Sequence, residues 1–325
     1  MLSVLYLLYN RAMNPDFIRA RSAVIKLVRR YFDEQGFLEL HTPRLVGLPG
    51  QEPYLEPMWT DVTHHASRIT HHRAALITSP EYAMKRMLAA GFDKIYDLGP
   101  CFRNGEPWDG THDTEFMMCE WYEKGIGLAE LMDRTEAMTR FVVPTLDKPF
   151  RRLTVRDAMK QYANVELDPL LGDREAMAAV CREHHQTVNE SDTWDDLFFK
   201  IFLSEVEAKL GEVPTFLTHY PASMAALAQK DPDDTRYALR TELYIGALEL
   251  ANGYVELTDV AEQRKRFEEE QTLRRSLGKD TWPIDDRFME ALPKMGEASG
   301  IAFGVDRLAM LLTGTTSISD LMPIP

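Results

Sequence analysis

The chain has 325 residues, 45% of them hydrophobic and 27% charged, with a formal net charge of −14. This is ordinary globular composition, enough for one large domain or two smaller ones, and the acidic balance argues against extensive nucleic-acid binding, which needs a basic face. No run of about twenty apolar residues exists to span a membrane.

Residues 1–10 are apolar but short, without a basic leader or a small-residue cleavage site, so no signal peptide is expected. Residues 1–13 read as an N-terminal extension, with Met13 an alternative start, and 14–325 as a single domain. From Pro15 to Phe37 the apolar positions Phe17, Ile18, Val24, Ile25, Leu27, Val28 and Phe32 recur at helical spacing. Gly36 should end that helix, and a short strand over Phe37–Leu40 should stop before Pro43. Residues 44–75 read as irregular, with four histidines (His64, His65, His71, His72) in a surface loop or, less simply, a metal site.

Leu76–Thr78 suggests a short strand, and Pro80–Ala90 a helix with Ser79 as N-cap and Pro80 in its first turn. Ile95–Leu98 and Glu115–Trp121 read as a long hairpin. Leu128–Val143 is helical, residues 151–212 form a mostly helical insertion, and Thr215–His219 and Glu242–Glu249 are strands. Glu262–Leu277 is a charged helix in which Arg264, Lys265 and Arg266 form a solvated face. Ile301–Val305 is an apolar strand that feeds a helix at Asp306. The pattern predicts an α+β fold, an antiparallel sheet flanked by helices. Cys101, Cys119 and Cys181 form no CxxC pair, which fits a reducing cytoplasm better than a disulfide or zinc framework.

The chain contains no GxxxxGK[ST] loop and no HExxH or GxSxG motif. Nucleotide phosphates would therefore have to be held by side chains. Three segments carry suitable groups. Phe102–Glu106 with His112 and Phe116 offers a guanidinium, an acid, an imidazole and an aromatic face. Thr241–Glu256 offers Glu242 and Glu249, seven apart, which a straight strand would place on opposite faces. A turn or bulge near Gly246 would let them converge on a cation. Ser299–Leu308 is a glycine-punctuated strand that delivers Arg307. Each segment alone is equally a solvated hairpin, an edge strand with surface acids or a buried strand with an ordinary cap.

In order, the three resemble motifs 2 and 3 of class II aminoacyl-tRNA synthetases of the lysyl type, with motif 1 in the first helix and strand. Thr78-Ser79-Pro80-Glu81-Tyr82, Pro221-Ala222-Ser223 and Glu249-Leu250-Ala251-Asn252-Gly253 bring the likeness closer to the elongation factor P lysine ligases, from about Asp16 onward. No room is left before the first helix for the anticodon-binding barrel of a lysyl-tRNA synthetase, so tRNA is not the expected acceptor.

The resemblance implies a six- or seven-stranded catalytic core, dimerised through motif 1. It implies ATP and Mg²⁺, with lysine or β-lysine activated as the adenylate and passed to a lysine of elongation factor P. Arg103 would hold the α-phosphate and the amino-acid carboxylate. Phe116 and Arg307 would sandwich adenine, His112 would touch the phosphate tail, and Glu242 and Glu249 would bind Mg²⁺. Glu81, beside Ser79, would read the amino group near the carboxylate. Glu256 and Tyr122 would read the side-chain ammonium, with Asn252 nearby. Ala302 stands where lysyl-tRNA synthetases usually have glycine, which leans toward β-lysine. The motif 2 acid place is held by Gly105, so either the loop lacks that acid or Glu106 takes its role. Two rival readings are aminoacylation of tRNA and a non-catalytic paralogue that senses an amino acid or nucleotide.

Overall fold

The computed structural model describes residues 14–63 and 71–323. The proposed extension at 1–13, and His64 and His65, lie outside them, and His71 and His72 are described only by their backbone.

Helix α1, Pro15–Glu34, is capped by Asn14, whose side-chain oxygen accepts from the Asp16 amide at 3.0 Å. Its apolar stripe buries Val24, Val28, Tyr31 and Phe32. Strand β1 (Leu38–Leu40) follows. Residues 44–75, expected to be irregular, instead contribute β2 (Leu45–Val46), β3 (Trp59–Thr63) and β4 (His71–Leu76), a separate sheet in the order β2-β4-β3. These strands are short and carry no clean alternation, so only their mutual pairing, such as Leu45 with Leu76 and Trp59 with Ala75, defines them. The strand expected at Leu76–Thr78 therefore ends where it was to begin. Helix α2 runs from Glu81 to Ala89. It starts one residue later than expected, yet Ser79 Oγ does accept from the Glu81 amide.

The long hairpin is β5 (Lys94–Phe102) and β6 (Glu115–Lys124), followed by α3 (Leu128–Val142). Arg151–Thr154, counted by sequence with the helical segment, is strand β7 of the main sheet. Helices α4 (Val155–Ala158), α5 (Arg174–Glu183) and α6 (Trp194–Ile201) then enclose a core of their own around Met159, Met177, Phe198 and Phe202. Strand β8 (Thr215–Pro221) precedes β9 (Tyr237–Ile245) and β10 (Leu248–Val255). The single strand expected over Glu242–Glu249 is thus a hairpin. Gly246 at φ +65° makes the turn, and the register slips between Glu249 and Ala251. Helices α7 (Val260–Ser276) and α8 (Asp286–Met295), strand β11 (Ala298–Gly304) and helix α9 (Val305–Thr313) complete the described chain.

The main sheet has eight strands, not six or seven, in the order β1-β5-β6-β11-β10-β9-β8-β7. It is antiparallel except at its edges, where β1 and β7 pair in parallel. Its period-two alternation builds the site. Odd-numbered residues of the central strands (Cys119, Trp121, Leu243, Ala251, Ile301 and Phe303) point into the main core under α1, α3 and α9. Each of the large ones contributes about 1.5–3 kcal/mol by leaving water. The even-numbered residues face the other way.

Arg21 of α1 reaches Asp306 at the start of α9, Nε to Oδ1 at 2.6 Å, and Oδ2 accepts from the Met117 amide at 2.7 Å. Asp306 is 1% exposed. Asp306→Ala strands both donors and should lower folding stability by about 3 kcal/mol, read as a lower urea midpoint at unchanged slope.

Candidate active site

The even-numbered face forms two rungs across four strands. Glu242, Asn252, Ala302 and Glu120 are cross-strand neighbours in sequence across β9, β10, β11 and β6. Two residues along lies the second rung: Arg240, Tyr254, Gly300 and Tyr122. Glu249 pairs with Tyr244, so the Gly246 hairpin brings it onto the same face as Glu242, as a diagonal neighbour.

Above these rungs opens a cavity of about 840 Å³. Of the residues assigned from the sequence, it is lined by Ser79, Glu81, Arg103, Glu106, His112, Phe116, Tyr122, Glu242, Glu249, Asn252, Ala302 and Arg307. Glu256 is not on its wall. It lies behind Gly300, its Oε1 2.8 Å from where a Cβ at that position would stand, and its carboxylate contacts Lys85 Nζ at 2.5 Å.

One end of the cavity is cationic. The Arg103 guanidinium lies 5.0 Å over the Phe116 ring, its Nε is buried without a hydrogen-bond partner, and it makes no ion pair among the described residues. A buried donor left unpaired is costly and fits an anionic ligand. Arg307 donates to the Glu249 carbonyl at 2.8 Å and faces His112 Nε2 at 3.0 Å. His112 Nδ1 lies 2.8 Å from Asp109, so the imidazole is held from both sides. Gly105 adopts φ +71°, a turn that leaves Glu106 on the cavity wall.

Glu242 accepts from the hydroxyls of Tyr220 and Tyr244 and from Arg240. Glu249 is pushed up to about 7 by burial and by the charge of Glu242, against the pull of Arg307. Two carboxylates crowded in this way suit a divalent cation. Magnesium typically takes one or two carboxylates and completes its shell with phosphate oxygens and water. Among the described residues no cluster of three or more histidine, cysteine, aspartate or glutamate side chains forms a self-sufficient metal cage.

The opposite end is acidic. Glu120 accepts from Ser79 Oγ at 2.7 Å and from Tyr122 Oη at 2.5 Å, and burial together with Glu81 pushes it up to about 8. Glu81 accepts from Tyr254 Oη at 2.5 Å and pairs with Lys85 at 2.6 Å. The sequence assigned no role to Glu120, which fell only within the strand expected over Glu115–Trp121. Its alternation with Phe116, Met118 and Tyr122 on β6 was the available signal. Lys85 carried no role in the sequence either; its spacing of four from Glu81 on a helix was the available signal that the two could meet.

Helix α7 holds the loop 49–56 along this wall. Arg274 donates to the carbonyls of Glu52 and Leu55, bonds the Glu56 carboxylate and stacks on Trp282 at 4.3 Å. Arg266, expected on a solvated face, is buried and donates to the carbonyls of Ala225 and Ala228, because its stem crosses the core edge instead of following Arg264 and Lys265 outward.

The model for tRNA synthetases class II (D, K and N) matches residues 2–325. The chain belongs to that family. Among its class II relatives, the elongation factor P–(R)-β-lysine ligase of Proteus mirabilis is 38% identical over 310 residues, covering 94% of this chain and 93% of the relative. The ligase of the same name from Erwinia tasmaniensis is 36% identical and covers 93% and 92%. The lysine–tRNA ligase of Mycoplasmoides gallisepticum is 33% identical, covering 98% of this chain and 66% of that protein. Among the described residues no helix is long and apolar enough to cross a membrane.

Gly300, between Tyr122 and Tyr254 on the second rung, has no room for a side chain in this class II site: an added Cβ would stand 2.1 Å from the Tyr122 ring. Gly300→Ala should displace Tyr122 and raise the amino-acid KM at least tenfold while the ATP KM stays put, measured by steady-state kinetics.

Proposed function

We propose that the chain activates (R)-β-lysine, or lysine, with ATP and ligates it to a lysine side chain of elongation factor P. The observation that carries this reading is the cavity itself: a partnerless guanidinium at one end and buried carboxylates at the other. A dipolar amino acid with a second, distal ammonium matches that polarity, because a buried ammonium needs a carboxylate beside it. The names of the ligase relatives support the same substrate and acceptor.

In the first step a carboxylate oxygen of the amino acid attacks the α-phosphorus of ATP, the bond to the β-phosphate bridging oxygen breaks, and pyrophosphate leaves. Arg103 binds both the carboxylate and the α-phosphate and stabilises the charge that grows there. Phe116 and Arg307 hold adenine between them, with Glu106 and His112 along the nucleotide. Glu242 and Glu249 would hold Mg²⁺, which neutralises phosphate charge when bound. Glu81 and Ser79 orient the amino group near the carboxylate. Glu120 and Tyr122 receive the distal ammonium, with Asn252 beside them, while Glu256 is held by Lys85 behind Gly300, off the cavity wall. In the second step the neutral amine of the acceptor lysine attacks the acyl carbon, the bond to the adenylate oxygen breaks, AMP leaves, and the amine proton passes to solvent. Proximity supplies most of that step.

Ala302 stands between Asn252 and Glu120 on the first rung. Its methyl takes volume from the cavity floor next to Glu120, which supports the leaning toward β-lysine. A homodimer in the cytoplasm, where the three buried, unpaired cysteines stay reduced, completes the reading. The lysine–tRNA ligase relative supports a second reading in which tRNA is the acceptor. One experiment decides between them. ATP–pyrophosphate exchange is measured with α- and β-lysine, and the adenylate is then offered elongation factor P or tRNA. Exchange favouring β-lysine, with mass added to elongation factor P alone, is expected. Charging of tRNA alone would transfer the assignment to the second reading, and no exchange with either amino acid would defeat both.

A further inference from the structure

The amino-acid end of the cavity contains an ammonium of the protein's own. Lys85 on α2 is 1% exposed, and its Nζ lies 2.6 Å from Glu81 Oε1 and 2.5 Å from Glu256 Oε2. The same nitrogen sits 5.2 Å from the Tyr254 ring centroid and 5.8 Å from that of Phe288. Tyr254 in turn donates to the Glu81 oxygen that Lys85 holds. Glu256 has no hydrogen-bond donor besides this ion pair. Glu120 completes the set from β6, tied to Tyr122 and Ser79 and not to any cation. Glu52 and Glu270 line the same wall and both act on Glu81; Arg266 and Arg274 are the cations beside Glu270, and Arg103 and Lys85 those that act on Glu52.

We propose that Lys85 is a positioning residue: a tethered ammonium that occupies Glu256 and one oxygen of Glu81, so that Glu120 and the rest of Glu81 are left to the ligand. Within this contact set three carboxylates face one ammonium, and the two negative charges left over match the two ammonium groups of a diamino acid. Lys85 thus sets the preference for a second amino group without touching the ligand, since it does not line the cavity. Burial alone would pull its pKa down, but Glu256 and Glu81 hold it above the ordinary lysine value, so its charge is permanent near neutrality. Helix geometry makes the device rigid: Glu81 and Lys85 are one turn apart on α2, whose N-terminus Ser79 fixes while also bonding Glu120.

This inference rests on the functional reading above, and direct binding separates the two. (R)-β-lysine and its monoamino analogue 3-aminohexanoate are titrated calorimetrically into the wild-type chain, Lys85→Met, Glu256→Gln and the double variant. Each single variant should weaken β-lysine by about a hundredfold and shrink its advantage over 3-aminohexanoate. The double variant, in which neither partner charge remains, should return to within about fivefold of wild type and recover the advantage. A double variant as weak as the product of the singles, or an unchanged ratio of the two ligands in every variant, would overturn the proposal. Should the singles fail to fold, the double decides alone: it should fold and keep the diamino preference, and losing that preference while folded would overturn the proposal. A wild-type chain that binds neither ligand would overturn the functional reading, and this inference with it.

Discussion

Arg103→Ala is expected to lower amino-acid-dependent ATP–pyrophosphate exchange by about a thousandfold in kcat, with the fold intact. The guanidinium stands at the cationic end of the cavity over Phe116, with no carboxylate of the described residues in an ion pair with it and its Nε buried without an acceptor. A structural arginine in such a place would be paired, as Arg274 and Arg240 are. Truncation removes no ion pair among the described residues, so stability should change little: the measurement is exchange rate beside a urea midpoint. Arg103→Lys should recover only a small part, because an ammonium cannot bridge a carboxylate and a phosphate with a planar fork. Loss of stability in step with loss of exchange would assign Arg103 to the scaffold instead.

Glu120→Gln is expected to raise the KM for the amino acid by about a hundredfold at pH 8, with the KM for ATP unchanged. Glu120 is 2% exposed, with hydrogen bonds from Ser79 and Tyr122 orienting both oxygens, and among the described residues it makes no ion pair. The same group predicts a pH dependence. Burial and Glu81 push its carboxyl up to about 8, so in the empty site it is largely protonated at pH 6. The ligand ammonium stays charged well above that pH, and binding requires Glu120 to lose its proton. Affinity should therefore strengthen as pH rises from 6 to 8 and level off above 8, with KM falling by up to about a hundredfold over the interval. Glu256 and Glu270 are pushed up to about 8 as well, so Glu120→Gln should remove the part of the slope that belongs to Glu120 and leave theirs. Because Glu249 also titrates, near 7, the series is run at saturating ATP and read from the amino-acid KM. A flat wild-type profile would remove Glu120 from the ammonium site.

Much of this protein was legible in its residues. The ordered motifs around Arg103, Glu242–Glu249 and Arg307 specified the family, because short-range chemistry (a guanidinium, an aromatic face, clustered acids) is written in adjacent residues. Helix α1 followed from apolar periodicity, which depends on local geometry alone. Even the need for a turn near Gly246 was readable, since strand alternation forbids Glu242 and Glu249 from sharing a face otherwise. Other features required the tertiary structure. The small sheet within 44–75 exists only because three weak strands pair with one another, and the eighth strand of the main sheet only because β7 finds β8. Charge was the least legible property. Glu81 and Lys85 at helical spacing, and Arg266 in a basic run, have the pattern of solvated surface residues, yet all three are buried. Whether a charged side chain meets water or a buried partner depends on residues distant in the chain: Glu256 and Tyr254 for Lys85, the carbonyls of Ala225 and Ala228 for Arg266. The sequence determined which chemical groups this cavity could contain; the packing of α2 against α8, β5 and β6 decided which of them are already paired and which remain for a ligand.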